Sequence, residues 1–574
     1  MESGERIIYF AETDYRNKRQ RFGIKEKDRD RHMYVIGKTG MGKSTLLENL
    51  AIQDIQNGSG LGFIDPHGGS AELLLEHIPA SRIKDVIYFA PFDTDHPISF
   101  NVMEDVGQDQ RHLVADGLMA AFKKIWPDVW SARMEYILNN ILLALIEYPD
   151  STLLGVNRML ADKGYRDTVV SKITDPAVRA FWLDEFAKYT DRYMQEAGAA
   201  IQNKIGQFVS SPIIRNIIGQ PHSSFDIREA MDNKKILIMN LSKGRMGENN
   251  ASLLGGMLIT KIYLAAMSRA NLNASAIAKV PHFFFYVDEF QSFVNESFAN
   301  ILAEARKYKL DLTIAHQYVE QMPEEVRDAV FGNVGTTIAF RVGPLDAELL
   351  EKVFAPKFMI EDLVGLGRNQ IYLSLMIDGI GSAPFSATTI PPLARPAQSF
   401  RNEILEASRA RYSKGREGVE NVIRVWHETA AVSPPGSPPP PPSAQGFRPA
   451  NRPSQSRPPQ SFSPRPMGET GLSSTSGAAK RRKKQDGYSS PRPPIPQEAM
   501  RDLGSSNLKS LLEDALKSGE INLSESGTED DEMVYKPEID NETEAKQDEL
   551  EDHEEVSAKK EISSEELKKI LNPE

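Results

Sequence analysis

The sequence contains no cysteine, which excludes disulfides, thiolate metal sites and a thiol nucleophile. It also lacks an apolar stretch behind basic residues at its start: MESGERIIYF has an acidic residue at position 2, so no secretory signal is expected. Nothing before residue 37 is long and apolar enough to span a bilayer. The most apolar long run, Leu253 to Met267, is short for a span and interrupted by Lys261, and is read as a buried helix. No integral membrane segment is therefore expected. An overall basic charge is missing too. The formal charge is -12, but 19 acidic and 6 basic residues lie between Ile521 and Glu574, which leaves about +1 for the first 520 residues. A near-neutral balance argues neither for nor against nucleic acid, since only a clustered basic surface leaves that footprint. Large apolar residues become scarce from about residue 433, where Pro, Ser, Lys and Glu dominate. Such a composition cannot bury enough surface to offset its ordering entropy.

What remains is patterned. The length of 574 residues allows three or four units. Met33 to Ile36 is an apolar run ending at a Gly-rich loop, and Lys43 to Gln56 then has helical spacing. Leu61 to Ile64 and Val86 to Phe89 read as two more buried strands bounded by turn residues. Between about Glu104 and Asn233 the strand signal stops and helical patterns follow one another. Met134, Ile137, Leu138, Ile141, Leu142 and Leu145 make the apolar stripe of an amphipathic helix. Strands return at Lys235 to Asn240, Phe283 to Val287, Leu312 to Ala315, Thr336 to Arg341 and Ile371 to Met376, and two helices follow near Phe400 to Arg411 and Arg416 to Trp426. Buried strands alternating with helices predict an α/β fold with a mainly parallel sheet. The expected division is a first part of the core at 1–104, an all-α insertion at 105–232, the second part of the core at 233–398, terminal helices at 399–430 and a disordered tail at 431–574. That tail is Pro-rich, then basic at Lys480 to Lys484, then acidic. It carries short amphipathic pieces from Ser505 and from Ser563, where Ser563 and Glu566 fit a capping box. The basic run is either a phosphate-binding or a merely solvated segment.

The chemistry concentrates in three places. Gly37, Lys38, Thr39, Gly40, Met41, Gly42, Lys43 and Ser44, followed by Thr45, fit G-x-x-x-x-G-K-[ST] between a buried strand and a helix. There the glycines let backbone N–H groups approach phosphates and the helix N-terminus adds positive potential. Lys43 would reach the β and γ phosphates of a nucleoside triphosphate, and Ser44 would give its hydroxyl to Mg2+. His282 to Glu289 reads as a buried strand ending in two carboxylates at the C-terminal edge of the sheet. Asp288 would hold Mg2+ through its water shell, and Glu289 is the candidate base for the attacking water. Leu310 to Gln317 is another strand with a polar end, where Gln317 is either a phosphate sensor or an ordinary strand terminus.

GKTGMGKST, the carboxylate pair after a run of aromatics, ILAEARKYKL and IAHQ, in that order, resemble the FtsK/HerA superfamily of DNA-pumping ATPases, and within it the type IV secretion coupling proteins. The similarity covers roughly Arg21 to Pro392, and the helical insertion resembles the all-α domain of the conjugative branch. The resemblance implies a RecA-like P-loop core, ATP and Mg2+ as cofactors, DNA as a partner, and a homo-oligomer, a hexameric ring with each ATP between neighbours. It implies that Gln317 is a sensor and that Arg306 is a finger reaching the adjacent subunit's site; from spacing alone Arg306 is one of several charges on a helix. The expected activity is ATP hydrolysis driving DNA, or DNA-protein cargo, toward a secretion or pilus-like machine. Two rivals stay open: a HerA-like cytoplasmic DNA-processing translocase, and an ATP-controlled receptor or scaffold. Relatives of the conjugative type usually begin with transmembrane helices. Their lack here points to a cytoplasmic protein, or one held at the inner face of the membrane by a partner engaging the C-terminal tail.

Overall fold

A computed structural model describes residues 5–14, 18–295 and 298–428, with the side chains of 191–197 also outside the description. The tail expected at 431–574, with its basic run and amphipathic pieces, lies outside the described residues.

Eleven strands form one sheet. In chain order they are β1 (Ile7–Thr13), β2 (Arg21–Lys25), β3 (Met33–Ile36), β4 (Gly60–Asp65), β5 (Val86–Phe89), β6 (Ile236–Asn240), β7 (Phe283–Val287), β8 (Leu310–His316), β9 (Thr336–Ala339) and β10 (Gln370–Ser374), then a small separate hairpin of β11 (Met376–Ile377) and β12 (Ile380–Gly381), and finally β13 (Phe385–Thr389). The order across the sheet is β2-β1-β13-β10-β9-β3-β8-β7-β4-β6-β5. From β9 to β5 every pairing is parallel. The side holding β10, β13, β1 and β2 is antiparallel. The parallel strands are continuous apolar runs because both faces are covered. On β7, Phe283, Phe285 and Val287 enter one core while Phe284 and Tyr286 enter the other. Period-2 alternation thus survives even where every residue is buried.

One face carries the helix Lys43–Gln56, with Leu46, Leu47 and Leu50 fully buried. Its far end is tied to β7 by an ion pair beneath the sheet: both Asp54 carboxylate oxygens accept from Arg29 at 2.8 and 3.0 Å, and Tyr286 shares the cluster through its hydroxyl. Arg29 also lies 3.8 Å above the Phe284 ring. Pairing and hydrogen bonding are what make so buried a charge tolerable, and removing one partner of such a group costs about 3–5 kcal/mol.

The opposite face is covered by the helix Glu248–Met267, which contains the apolar run broken by Lys261. It is long and apolar enough by composition to cross a membrane, but 61% of that stretch is buried inside the protein. Its far side meets the helix Arg111–Ile125, on which Ala132–Glu147 packs in turn; these are the first of the helical segment between β5 and β6. All six stripe residues from Met134 to Leu145 are buried, and Ser131 caps that helix by accepting from the Met134 N–H at 3.3 Å. The terminal helices run Arg401–Tyr412 and Arg416–Glu428. β9 ends two residues earlier than expected, at Ala339, because the next backbone groups serve the phosphate loop: the Phe340 N–H donates to Ile36 O and the Lys38 N–H to Arg341 O, each at 2.8 Å. The last expected strand splits, with β10 ending at Ser374 and Met376 starting the hairpin.

Candidate active site

β3, β8, β7 and β4 are consecutive neighbours, so the loops leaving their C-terminal ends converge on one edge. The loop Gly37 to Gly42 leaves β3 there. Its turn needs glycine at position 42, where φ is +119° and an added Cβ would lie 2.8 Å from Asn369 Oδ1. Gly42 also caps the following helix with no side-chain acceptor, which leaves the first-turn N–H groups of Lys43, Ser44 and Thr45 free to face an anion. The loop is anchored at its start, where the Gly37 N–H donates to His316 O at 3.2 Å, and at its end, where Met41 O accepts from the Asn369 N–H at 3.1 Å. Thr39 and Gly40 form its exposed tip.

Lys43 is buried, and its ammonium donates to Gly37 O at 2.7 Å and Lys38 O at 3.3 Å. Burial pushes its pKa down, against the attraction of Glu289 and Asp288. Ser44 Oγ donates to Asp288 Oδ2 at 2.9 Å. Asp288 is buried and its pKa is pushed up to about 6, chiefly by desolvation and then by the Asp65 carboxylate. Asp65, at the end of β4, accepts from the His67 and Ala71 N–H groups at 2.7 and 2.9 Å. Hard oxygen donors with surplus negative charge beside a hydroxyl suit Mg2+, so Ser44 and Asp288 fit that ion.

Glu289 adopts a left-handed backbone, φ 49° and ψ 52°, and is 8% exposed. Its two carboxylate oxygens accept from different amides, Gln317 on one and Gln291 on the other. Gln317 Oε1 in turn accepts from Thr39 Oγ1 at 3.0 Å, which links the end of β8 to the phosphate loop. The structure therefore brings Lys43, Ser44, Asp288, Glu289 and Gln317 together. It does not bring in Arg306, which sits in a short turn before β8, at the opposite edge, exposed, with Nε 3.2 Å from Asp30.

Sequence reasoning missed Asp65, Gln291 and Asn369. Asp65 ends an apolar strand just as Asp288 does, and that signal was available. Gln291 and Asn369 have no such mark.

A phosphate loop between a strand and a helix, faced by a buried acidic strand end one strand beyond its neighbour, defines a P-loop nucleotide-binding protein of α/β fold. Residues 21–354 match the family described as the type IV secretion-system coupling protein DNA-binding domain, and the chain belongs to that family. No curated protein matches it. Among solved structures it is similar to the bacterial conjugative coupling protein TrwBdeltaN70 in an unbound monoclinic form, at 14% identity and a TM-score of 0.48 over 65% of this chain and 87% of that one. The plasmid coupling protein TrwB in complex with ADP and Mg2+ gives 14% identity and 0.48 over 66% and 89%. VirB4 of Thermoanaerobacter pseudethanolicus gives 13% and 0.44 over 67% and 96%.

Proposed function

We propose that the chain is an ATPase that couples hydrolysis to movement of DNA, or DNA-protein cargo, toward a type IV secretion or pilus-like machine. The observation that carries the hydrolytic part is the meeting of Ser44, Asp288, Glu289 and Gln317 beside the phosphate loop. Family membership supports the coupling role over a HerA-like one. On this reading Lys43 binds the β and γ phosphates, and the loop N–H groups cradle them. Bound Mg2+ would neutralise phosphate charge, held by Ser44 and, through water, by Asp288. Glu289 accepts the proton of the attacking water as its oxygen bonds to the γ phosphorus. The bond from that phosphorus to the bridging oxygen breaks, and its electron pair leaves with ADP. Gln317 orients the water or senses the γ phosphate, and Arg306 acts on a neighbouring subunit's nucleotide in a homohexameric ring. Residues 105–232 serve as an all-α domain for cargo, and the tail beyond 431 recruits a membrane or secretion partner to a cytoplasmic protein.

Lys43→Ala should abolish turnover and weaken nucleotide binding, because the phosphate charge is left uncompensated. Steady-state ATPase assays with and without single- and double-stranded DNA check this, and wild-type turnover in the variant would exclude this loop as the active site. DNA-independent turnover in the wild type would support the receptor reading instead.

A further inference from the structure

We propose that Gln291 is a positioning residue for Glu289, holding its carboxylate where it can take the proton of the attacking water. This rests on the reading of Glu289 as the base. Glu289 opens the turn Phe290–Ser292 from a left-handed backbone conformation, so its own main chain does not hold the side chain along a strand. Its orientation is set instead by the two amides that donate to it. The two are not equivalent. Gln317 is shared with Thr39 at the exposed tip of the phosphate loop, so a nucleotide arriving on that loop competes for it. Among the described residues Gln291 has no second partner: its Oε1 is buried without a hydrogen bond there, and the side chain's polar contact is with Glu289. Leaving a buried amide carbonyl unsatisfied is unfavourable for a side chain that only fills space.

The turn that carries Gln291 is itself fixed. Lys243, just after β6, donates to Ser292 Oγ at 2.9 Å. Phe290 packs edge-on to Phe298 at 4.4 Å, and Phe293 is buried against Gly255 of the core helix. The amide is thus delivered from a rigid turn rather than a free loop. When Gln317 engages the nucleotide, Gln291 alone keeps one carboxylate oxygen occupied and leaves the other open to water.

Gln291→Leu tests this with the full chain. Leucine keeps the volume, removes the donor and also removes the unsatisfied carbonyl, so the melting temperature should hold or rise. Affinity for a fluorescent ATP analogue and KM should not change. The turnover number should fall roughly 10- to 100-fold, the scale of a misplaced catalytic group. Gln291→Glu, which sets a second carboxylate against the first, should turn over more slowly still. Glu289→Gln in the same assay separates the two readings. If it remains active, Glu289 is not the base and the proposal falls with it. If it is inactive while Gln291→Leu binds nucleotide and keeps the wild-type rate, the positioning role alone is wrong. A Gln291→Leu protein that melts lower and loses rate and nucleotide affinity in parallel would mark Gln291 as structural and overturn the proposal.

Discussion

At the end of β8, the His316 imidazole is fully buried, with Nδ1 3.3 Å from the Tyr34 hydroxyl and Nε2 without a partner among the described residues. Burial pushes its pKa down to about 3, and the nearby Lys43 and Lys124 charges add to the effect. The unfolded chain's imidazole binds a proton near pH 6.5 that the folded chain refuses. This contribution to stability is therefore fully present above pH 6.5 and is lost progressively as pH falls toward 3, at about 1.4 kcal/mol per pH unit. Equilibrium denaturation of the wild type and His316→Asn should thus differ less at pH 5 than at pH 7, by up to about 2 kcal/mol. A difference constant between those pH values would mean that the folded protein accepts the proton.

Between elements, the helix Glu248–Met267 lies tight against the segment following Glu289. A Cβ on Gly255 would lie 2.3 Å from two atoms of the Phe293 ring, whereas one on Gly256 would meet its nearest neighbour, the Ala121 Cβ, at 3.6 Å. Helix propensity favours alanine over glycine at both positions by about 1 kcal/mol. Gly256→Ala should therefore be neutral or mildly stabilising. Gly255→Ala should destabilise by about 1–3 kcal/mol, because Phe293 is 2% exposed and overpacking displaces it. Since Phe293 fixes the turn bearing Gln291 and Glu289, ATP turnover should also fall in Gly255→Ala alone. Melting curves and ATPase assays on the two variants check both halves, and equal behaviour would show that the ring moves without cost.

Across the whole molecule, Arg306 and the phosphate loop lie at opposite edges of the sheet: Arg306 precedes β8, while the loop follows the end of β3, which pairs with His316 at the end of β8. A single chain does not join them. If Arg306 completes a neighbour's site, Arg306→Ala should bind ATP and turn it over poorly, since such a guanidinium contributes on the order of 10³ to 10⁵ in other P-loop enzymes. Mixed with Lys43→Ala under conditions of subunit exchange, it should regain activity, because some interfaces then pair an intact loop with an intact Arg306. A mixture that exchanges subunits yet stays as inactive as its parts would return Arg306 to a solvated residue bridged to Asp30.

The parallel half of this sheet was legible in the sequence because strands covered on both faces are written as unbroken apolar runs, of which Phe283 to Val287 is the clearest. The phosphate loop was legible because its glycines and its lysine are contiguous, and the core helix because one lysine broke an otherwise apolar run. β1, β2 and β13 were not read as strands: each is partly exposed, and although β1 and β2 pair as near neighbours in the chain, β13 joins β1 only across the fold, as Ala11 pairs with Thr389. Residue types at strand ends nominated Asp288 and Glu289 as an adjacent pair and Gln317 apart from them. Which of them touch was decided by strand order alone, since β3, β8, β7 and β4 must lie side by side before Thr39 can reach Gln317 across 278 positions and Gln317 can reach Glu289 across 28. Local chemistry fixes what a side chain can do, but a hydrogen bond acts over about 3 Å, and only the packed sheet brings such distant positions that close.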